Sequence, residues 1–274
     1  MPDLIIEGKK LHYSDQGSGP VLLLGHSYLW DRNMWSAQID LLASHYRVIV
    51  PDLWGHGESG AFPDETRNLS DFARHALALL DHLNIRRCTI IGLSVGGMWG
   101  AIAALSAPER INGLVLMDTY LGNESEAMKA YYFSLLDKVE VAGAFSEQLL
   151  DVVVPIFFRP GIDPQSPVCQ RLRTALASMS SEQLRQTVVP VGRIIFGRED
   201  RLGLLHQLDA DTTLIMCGDA DIPRPPTETR EMARLIGCPY VLVPEAGHIA
   251  NLENPEFVSG ALMAFLAGLH QRTA

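Results

Sequence analysis

The chain has 274 residues, enough for one large α/β unit with an insertion and for an extensive core that needs neither disulfides nor metals. Its 22 Lys and Arg stand against 32 Asp and Glu, and the formal net charge of −10 argues against nucleic acid and anionic membranes as partners. Cys88, Cys169, Cys217 and Cys238 are scattered without ligand spacing and read as buried free thiols; with no charged leader and no apolar run near ~20 residues, the expectation is a cytoplasmic protein.

Short apolar runs alternate with amphipathic helical patterns. The runs Leu4 to Ile6, Leu11 to Ser14, Val21 to Leu24, Val48 to Val50, Thr89 to Ile91, Leu114 to Met117, Leu214 to Cys217 and Tyr240 to Val243 predict eight strands. Helices between them imply an α/β fold, a mostly parallel sheet covered on both faces. Only turns such as Asp15 to Pro20 separate the first three strands, so that edge is expected to be antiparallel. Leu69, Phe72, Ala76, Leu79, Leu80 and Leu83 share one helical face, with Ser70 as the expected cap. From Asn123 to His206 the strand signal stops and helical segments carrying Met128, Tyr132, Phe145 and Phe157 take over. We read residues 123–206 as a helical cap inserted after the sixth strand, and 1–122 with 207–274 as the core domain. Asn254 and Pro255 then open a last helix whose inner face runs from Phe257 and Val258 to Leu269.

Between the fifth strand and the helix after it stands Gly92-Leu93-Ser94-Val95-Gly96-Gly97. A serine at the apex of a sharp strand-to-helix turn has a strained backbone, and small residues two before and two after it let helix and strand approach. A capping serine in a glycine-rich turn would look the same over five residues, so the downstream residues decide. A serine hydroxyl needs an imidazole to take its proton and a carboxylate to orient that imidazole. Beyond Ser94 lie only His206, His248 and His270; His248 follows the last strand and would end on the same sheet edge as Ser94. For the acid, Asp118, Asp219 and Asp221 compete; Asp219 and Asp221 both follow the seventh strand, and we prefer Asp221, reading the other two as turn and helix-entry residues.

Two other motifs carry less. Gly55-His56-Gly57-Glu58-Ser59-Gly60 has dinucleotide-binding spacing, yet Ala61-Phe62-Pro63 opens no helix on which a pyrophosphate could rest. His26 and His56 lack carboxylate or thiol companions at ligand spacing and are expected to make structural hydrogen bonds, with no metal site.

The chain resembles α/β-hydrolase-fold enzymes over nearly all of its length outside the cap, and within them the branch of 3-oxoadipate enol-lactonases, aryl esterases and perhydrolases. The resemblance rests on Gly25-His26-Ser27-Tyr28, on Pro51 to Ser59, on the Ser94 turn and on Ala246-Gly247-His248 with Glu253-Asn254-Pro255 beyond. It implies a triad of Ser94, Asp221 and His248, an oxyanion hole from the Tyr28 and Val95 amides, and no cofactor. It also implies a serine hydrolase of small carboxylic esters or lactones, with carbon–carbon bond hydrolysis or perhydrolysis on the same triad, and a non-catalytic binding protein, as alternatives. Ser27 stands where the pattern usually has glycine. Trp30, Trp54 and Tyr120, close to the expected mouth, are expected to favour an apolar or aromatic substrate group; the sequence leaves a homo-oligomer open.

Overall fold

The structure is a computed structural model that describes residues 2–273, with side chains from 2 to 269. Eight strands form at the predicted runs: β1 (Asp3–Ile6), β2 (Lys9–Gln16), β3 (Val21–Gly25), β4 (Arg47–Pro51), β5 (Cys88–Leu93), β6 (Ile111–Met117), β7 (Thr213–Gly218) and β8 (Tyr240–Val243). They build one sheet in the order β1-β2-β4-β3-β5-β6-β7-β8, antiparallel at β1/β2 and β2/β4 and parallel elsewhere. The antiparallel edge therefore holds two strands, whereas three were expected. β2 passes over β3 and pairs with β4 in the register Gln16↔Val48, leaving β3 parallel to both β4 and β5. Every residue of β5 is buried, as a strand covered by helices on both faces requires.

On the faces lie α1 (Ser36–Ala43), α2 (Leu69–His82) and α3 (Val95–Ser106). Between β6 and β7 run α4 (Glu126–Ala142), α5 (Glu147–Val153), α6 (Pro167–Ala177), α7 (Ser181–Gln183) and α8 (Val189–Phe196). After β7 come α9 (Pro226–Ile236), α10 (Ala250–Glu253) and α11 (Pro255–Thr273). The cap of α2 is Asn68, not Ser70: the Asn68 side chain accepts from the Ser70 N–H at 2.8 Å, and Asp71 reaches back to the Asn68 N–H. This reciprocal box satisfies two otherwise orphaned donors. The α11 pattern is partly redirected, since Val258, Leu262 and Leu266 are buried while Phe257 is exposed. The His270 side chain lies outside the described residues. No helix among the described residues is long and apolar enough to cross a membrane.

Candidate active site

The site gathers where β5, β7 and β8 end, at the carboxyl edge of the parallel strands, the usual crevice of open α/β sheets. Ser94 leaves β5 with φ 55°, a left-handed conformation unusual for a non-glycine residue, and caps α3. Two contacts hold it there: its N–H donates to the Met117 carbonyl at 2.9 Å, and the Thr119 hydroxyl donates to its carbonyl at 2.7 Å. Gly92 and Gly96 are required by proximity, because a Cβ on Gly92 would lie 2.3 Å from the Gly96 backbone.

His248 follows β8 in a loop fixed from three sides. Asp219 accepts the Glu245 and Ala246 amides at 3.1 and 3.2 Å, Glu253 accepts the Gly247 N–H at 2.7 Å, and the Ile249 N–H donates to the Phe157 carbonyl. Burial pushes the Glu253 carboxyl above its usual range. The ring stands 2.9 Å from Ser94 Oγ through Nε2, and its Nδ1 lies 3.1 and 3.0 Å from the two Asp221 oxygens. A carboxylate only accepts, so the ring proton belongs on Nδ1 and the Nε2 lone pair faces the serine hydroxyl. All three residues are buried, yet Ser94 and His248 both line a cavity of about 440 Å³.

The other two aspartates have different work. Asp219 pins the histidine loop, as above. Asp118 follows β6 with φ 46° and accepts the Gly218 N–H at 2.7 Å, while its second oxygen is buried without a partner. Burial, and then the charge of Asp221, push its carboxyl well above the usual range. Asp118, Cys217 and Asp221 bring one potential ligand atom each within 4.8 Å of one another. They suit a cation poorly: burial and the neighbouring carboxylates push the Cys217 thiol up, and both Asp221 oxygens face His248.

Comparison with known proteins agrees with this architecture. A family model described as the alpha/beta hydrolase fold matches residues 20–150. A solved esterase from Thermogutta terrifontis, described as malate bound, superposes with a TM-score of 0.84 at 30% identity, over 96% of this chain and 94% of that one. This chain belongs to the α/β-hydrolase family. It is also 27% identical, over 92% of its length and 90% of the relative's, to 3-oxoadipate enol-lactonase 2 of Acinetobacter baylyi. A further match, at 29% identity over 95% of this chain and 68% of the relative, is the dihydrolipoyllysine-residue acetyltransferase component of an acetoin cleaving system in Pseudomonas putida.

In this α/β-hydrolase the cavity above Ser94 is walled by Met98, Phe157, Ile195 and Phe196 and closed on one side by Glu124 and Arg224. It shares Tyr28, Tyr132, Ile156, Phe157 and Phe196 with an adjoining apolar cavity of about 540 Å³ that reaches into the helices between β6 and β7. Tyr28 lines the same cavity as Ser94, and Val95 follows Ser94 in the chain. Val95 opens α3, where backbone N–H groups have no partner within the helix, and among the described residues nothing accepts the Tyr28 N–H. The Tyr28 hydroxyl is spent on the Val188 carbonyl at 2.7 Å. Ser27 also lines the cavity; its N–H approaches the Met34 sulfur at 3.2 Å.

Trp30, Trp54 and Tyr120 stand outside the walls of the Ser94 cavity, contrary to the sequence expectation. Trp30 packs edge-on against Phe157 and Phe158, Trp54 donates its indole N–H to His75 at 3.0 Å, and the Tyr120 hydroxyl donates to Glu231. Indole and phenol groups seek polar partners when buried; Trp54 and Tyr120 have theirs away from the cavity, whereas the Trp30 indole N–H is buried without one. His26 bridges two loops, Nδ1 donating to the Ser27 carbonyl and Nε2 accepting the Leu53 N–H at 2.7 Å. The glycine-rich turn at 55–60 wraps the chain's own Asp52, which accepts the Glu58 N–H at 3.0 Å and pairs with Arg32. Sequence reading missed Thr119, Glu124, Arg198 and Arg224; only position in space connects them, since Glu124 meets Arg198 across 74 residues and Arg224 across 100.

Proposed function

We propose that this α/β-hydrolase cleaves small carboxylic esters or lactones through an acyl-enzyme on Ser94. The reading is carried by one observation, the unbroken hydrogen-bond chain Ser94–His248–Asp221 at the floor of an apolar cavity. Ser94 Oγ attacks the substrate carbonyl while His248 Nε2 takes its proton; Asp221 holds the ring tautomer and stabilises the imidazolium. The Tyr28 and Val95 amides are the donors for the tetrahedral oxyanion, each worth roughly 100- to 1000-fold in turnover. His248 returns the proton to the leaving alcohol, then activates water, which attacks the acyl carbon and frees Ser94. In a lactone, alcohol and acid leave as one opened molecule. The helices between β6 and β7 act as the cap, and their Phe157, Ile195 and Phe196 side chains give the substrate an apolar bed. Two relatives named for such chemistry, an esterase and an enol-lactonase, support the choice of ester over other acyl bonds. The protein works on a small molecule, without a cofactor.

Covalent labelling by a fluorophosphonate probe tests the mechanism. The wild-type protein is expected to label at Ser94, and folded Ser94→Ala to label not at all and to lose turnover of nitrophenyl esters and lactones. A wild-type protein that neither labels nor turns over any ester would instead be a binding protein on this fold.

A further inference from the structure

The Ser94 cavity is bounded by two charged side chains, Glu124 and Arg224, which are almost fully enclosed at 4% and 6% side-chain exposure, and Glu124 is paired with a third, Arg198, at 3%. Glu124 Oε1 accepts from Arg198 Nη1 and from Arg224 Nη2, both at 2.7 Å, and Oε2 accepts from Arg224 Nη2 at 2.8 Å. One buried carboxylate thus answers two buried guanidinium groups. A second acid, Glu228, brings Oε2 within 3.3 Å of Arg224 Nη1, but it is 30% exposed and the pair lacks hydrogen-bond geometry. Burial pushes the Glu228 carboxyl up, which weakens it further as a counter-charge.

The hydrogen-bond account is equally lopsided. Both Glu124 oxygens are engaged, whereas Arg224 Nη1 and Arg198 Nε and Nη2 are buried donors without hydrogen-bond acceptors. Leaving buried charged donors unmade is costly, and of the two arginines it is Arg224 that lines the cavity, where an entering acceptor can meet its surplus. Arg224 is also tied to the reacting groups, since its backbone N–H donates to Asp221 Oδ1 at 3.1 Å. The guanidinium is therefore held on the same turn as the residue that orients His248.

We propose that Arg224, clamped by Glu124 and backed by Arg198, is a specificity-determining residue that recognises a carboxylate on the substrate. The proposal rests on the ester or lactone hydrolase reading and narrows it to esters and lactones that carry a second, ionised carboxyl group. The apolar bed takes the connecting carbons, and Arg224 Nη1, which makes no hydrogen bond of its own, takes the carboxylate in competition with Glu228. Glu124 does not repel that group decisively, because both of its oxygens are already engaged by the two arginines.

Two matched substrate pairs test this, each differing by the presence of a carboxylate: 4-nitrophenyl pentanoate with mono-4-nitrophenyl glutarate, and phenyl acetate with 4-carboxyphenyl acetate. In wild type, the carboxylate-bearing member of at least one pair is expected to show the higher kcat/KM. In Arg224→Gln, the acid-to-neutral ratio for that pair is expected to fall about 10- to 100-fold, chiefly through KM, as for loss of a charge-assisted hydrogen bond made in both ground and transition states. Removing one partner from a buried ion cluster can prevent folding, so a second measurement uses wild type alone. Glutarate is expected to inhibit neutral-ester hydrolysis competitively, with a Ki at least about tenfold below that of glutaramide. Neutral esters hydrolysed with no carboxylate preference, an unchanged ratio in the variant, or equal inhibition by glutarate and glutaramide would each overturn the role of Arg224 while leaving the hydrolase standing. Absence of both turnover and Ser94 labelling would instead remove the hydrolase reading itself.

Discussion

Replacing His75 by Asn is expected to make the fold markedly less sensitive to mild acid. His75 sits on α2 with its ring edge-on to Trp54, and Trp54 Nε1–H donates to its Nδ1 at 3.0 Å. An indole N–H can only donate, so Nδ1 must stay unprotonated, and Nε2 is buried without a partner. Burial, and then the Arg74 charge, hold its pKa down to about 4. In the unfolded chain the group titrates near ~6.5. Below that pH the unfolded chain binds a proton that the folded protein refuses, so stability is lost as pH falls from ~6.5 towards the folded value. Between pH 7 and pH 5 the difference in bound protons, integrated over pH, comes to about 1.35 units, or about 1.8 kcal/mol at about 1.36 kcal/mol per unit. The ring also borders a cavity shared with His26 and Trp99, where hydration softens the penalty, and the expected loss from His75 is about 1 to 2 kcal/mol.

Asn keeps an acceptor near the Nδ1 position but cannot titrate. Urea unfolding of both proteins at pH 7 and pH 5 isolates the effect, because wild type should lose about 1 to 2 kcal/mol more than the variant over that interval. The difference is needed because Asp118, Glu228 and Glu253, whose pKa values are raised, act oppositely: the folded protein keeps their protons and gains stability on acidification. Their contribution cancels between the two proteins. Parallel pH profiles would show that His75 accepts a proton in the folded state and that the Trp54 hydrogen bond does not fix its tautomer.

Two substitutions separate the competing acids. Asp221→Asn should lower kcat on a nitrophenyl ester by about 1000- to 10,000-fold through loss of the tautomer-fixing carboxylate, whereas Asp118→Asn, isosteric with a protonated acid and still able to accept the Gly218 N–H, should stay within about tenfold of wild type. The reverse order would transfer the orienting role to Asp118. Gly92→Ala places a Cβ 2.3 Å from the Gly96 carbonyl and 2.4 Å from the Gly97 nitrogen, backbone atoms that cannot swing aside; a thermal melt should register a loss of about 1 to 3 kcal/mol or more, and an unshifted midpoint would mean that strand and helix separate without cost.

What the sequence disclosed followed the range of its signals. Apolar runs report which segments are buried, so all eight strands were legible, but not which neighbours they choose; the pairing of β2 with β4 depends on contacts some 30 residues apart that leave no periodic trace. The α2 cap was readable in principle. Asn68 is followed three places later by Asp71, the reciprocal box, whereas Ser70 is followed by Ala73. Ser94, Asp221 and His248 could be chosen because each lies in the connection that leaves a strand ending on one edge, and topology alone brings such connections together. Trp30, Trp54 and Tyr120 were chosen by the same nearness to strand ends, yet nearness does not fix where a long side chain points. The Arg198–Glu124–Arg224 cluster had no local signature, since its members come from three separate connections and each resembles a solvated surface charge.

The residues of the Ser94–His248–Asp221 hydrogen-bond chain and those that shape the cavity come from different parts of the chain. Ser94, Asp221 and His248 stand on turns anchored to the sheet through Met117, Gly218 and Asp219, while Tyr132, Phe157, Ile195 and Phe196 come from the helices between β6 and β7. Repacking those helices can change which group fits the cavity without moving that hydrogen-bond chain. The separation is incomplete at two points. Glu253 accepts the amides of both Gly247 and Arg159, and Phe157 offers its carbonyl to Ile249, so the segment 157–159 is fastened on either side of His248. Arg224 joins the two parts from the other side, with its backbone on Asp221 and its guanidinium on Glu124 at the exit from β6. A displacement of the helices large enough to open the cavity widely must therefore disturb the His248 loop, whereas small changes in their side chains need not.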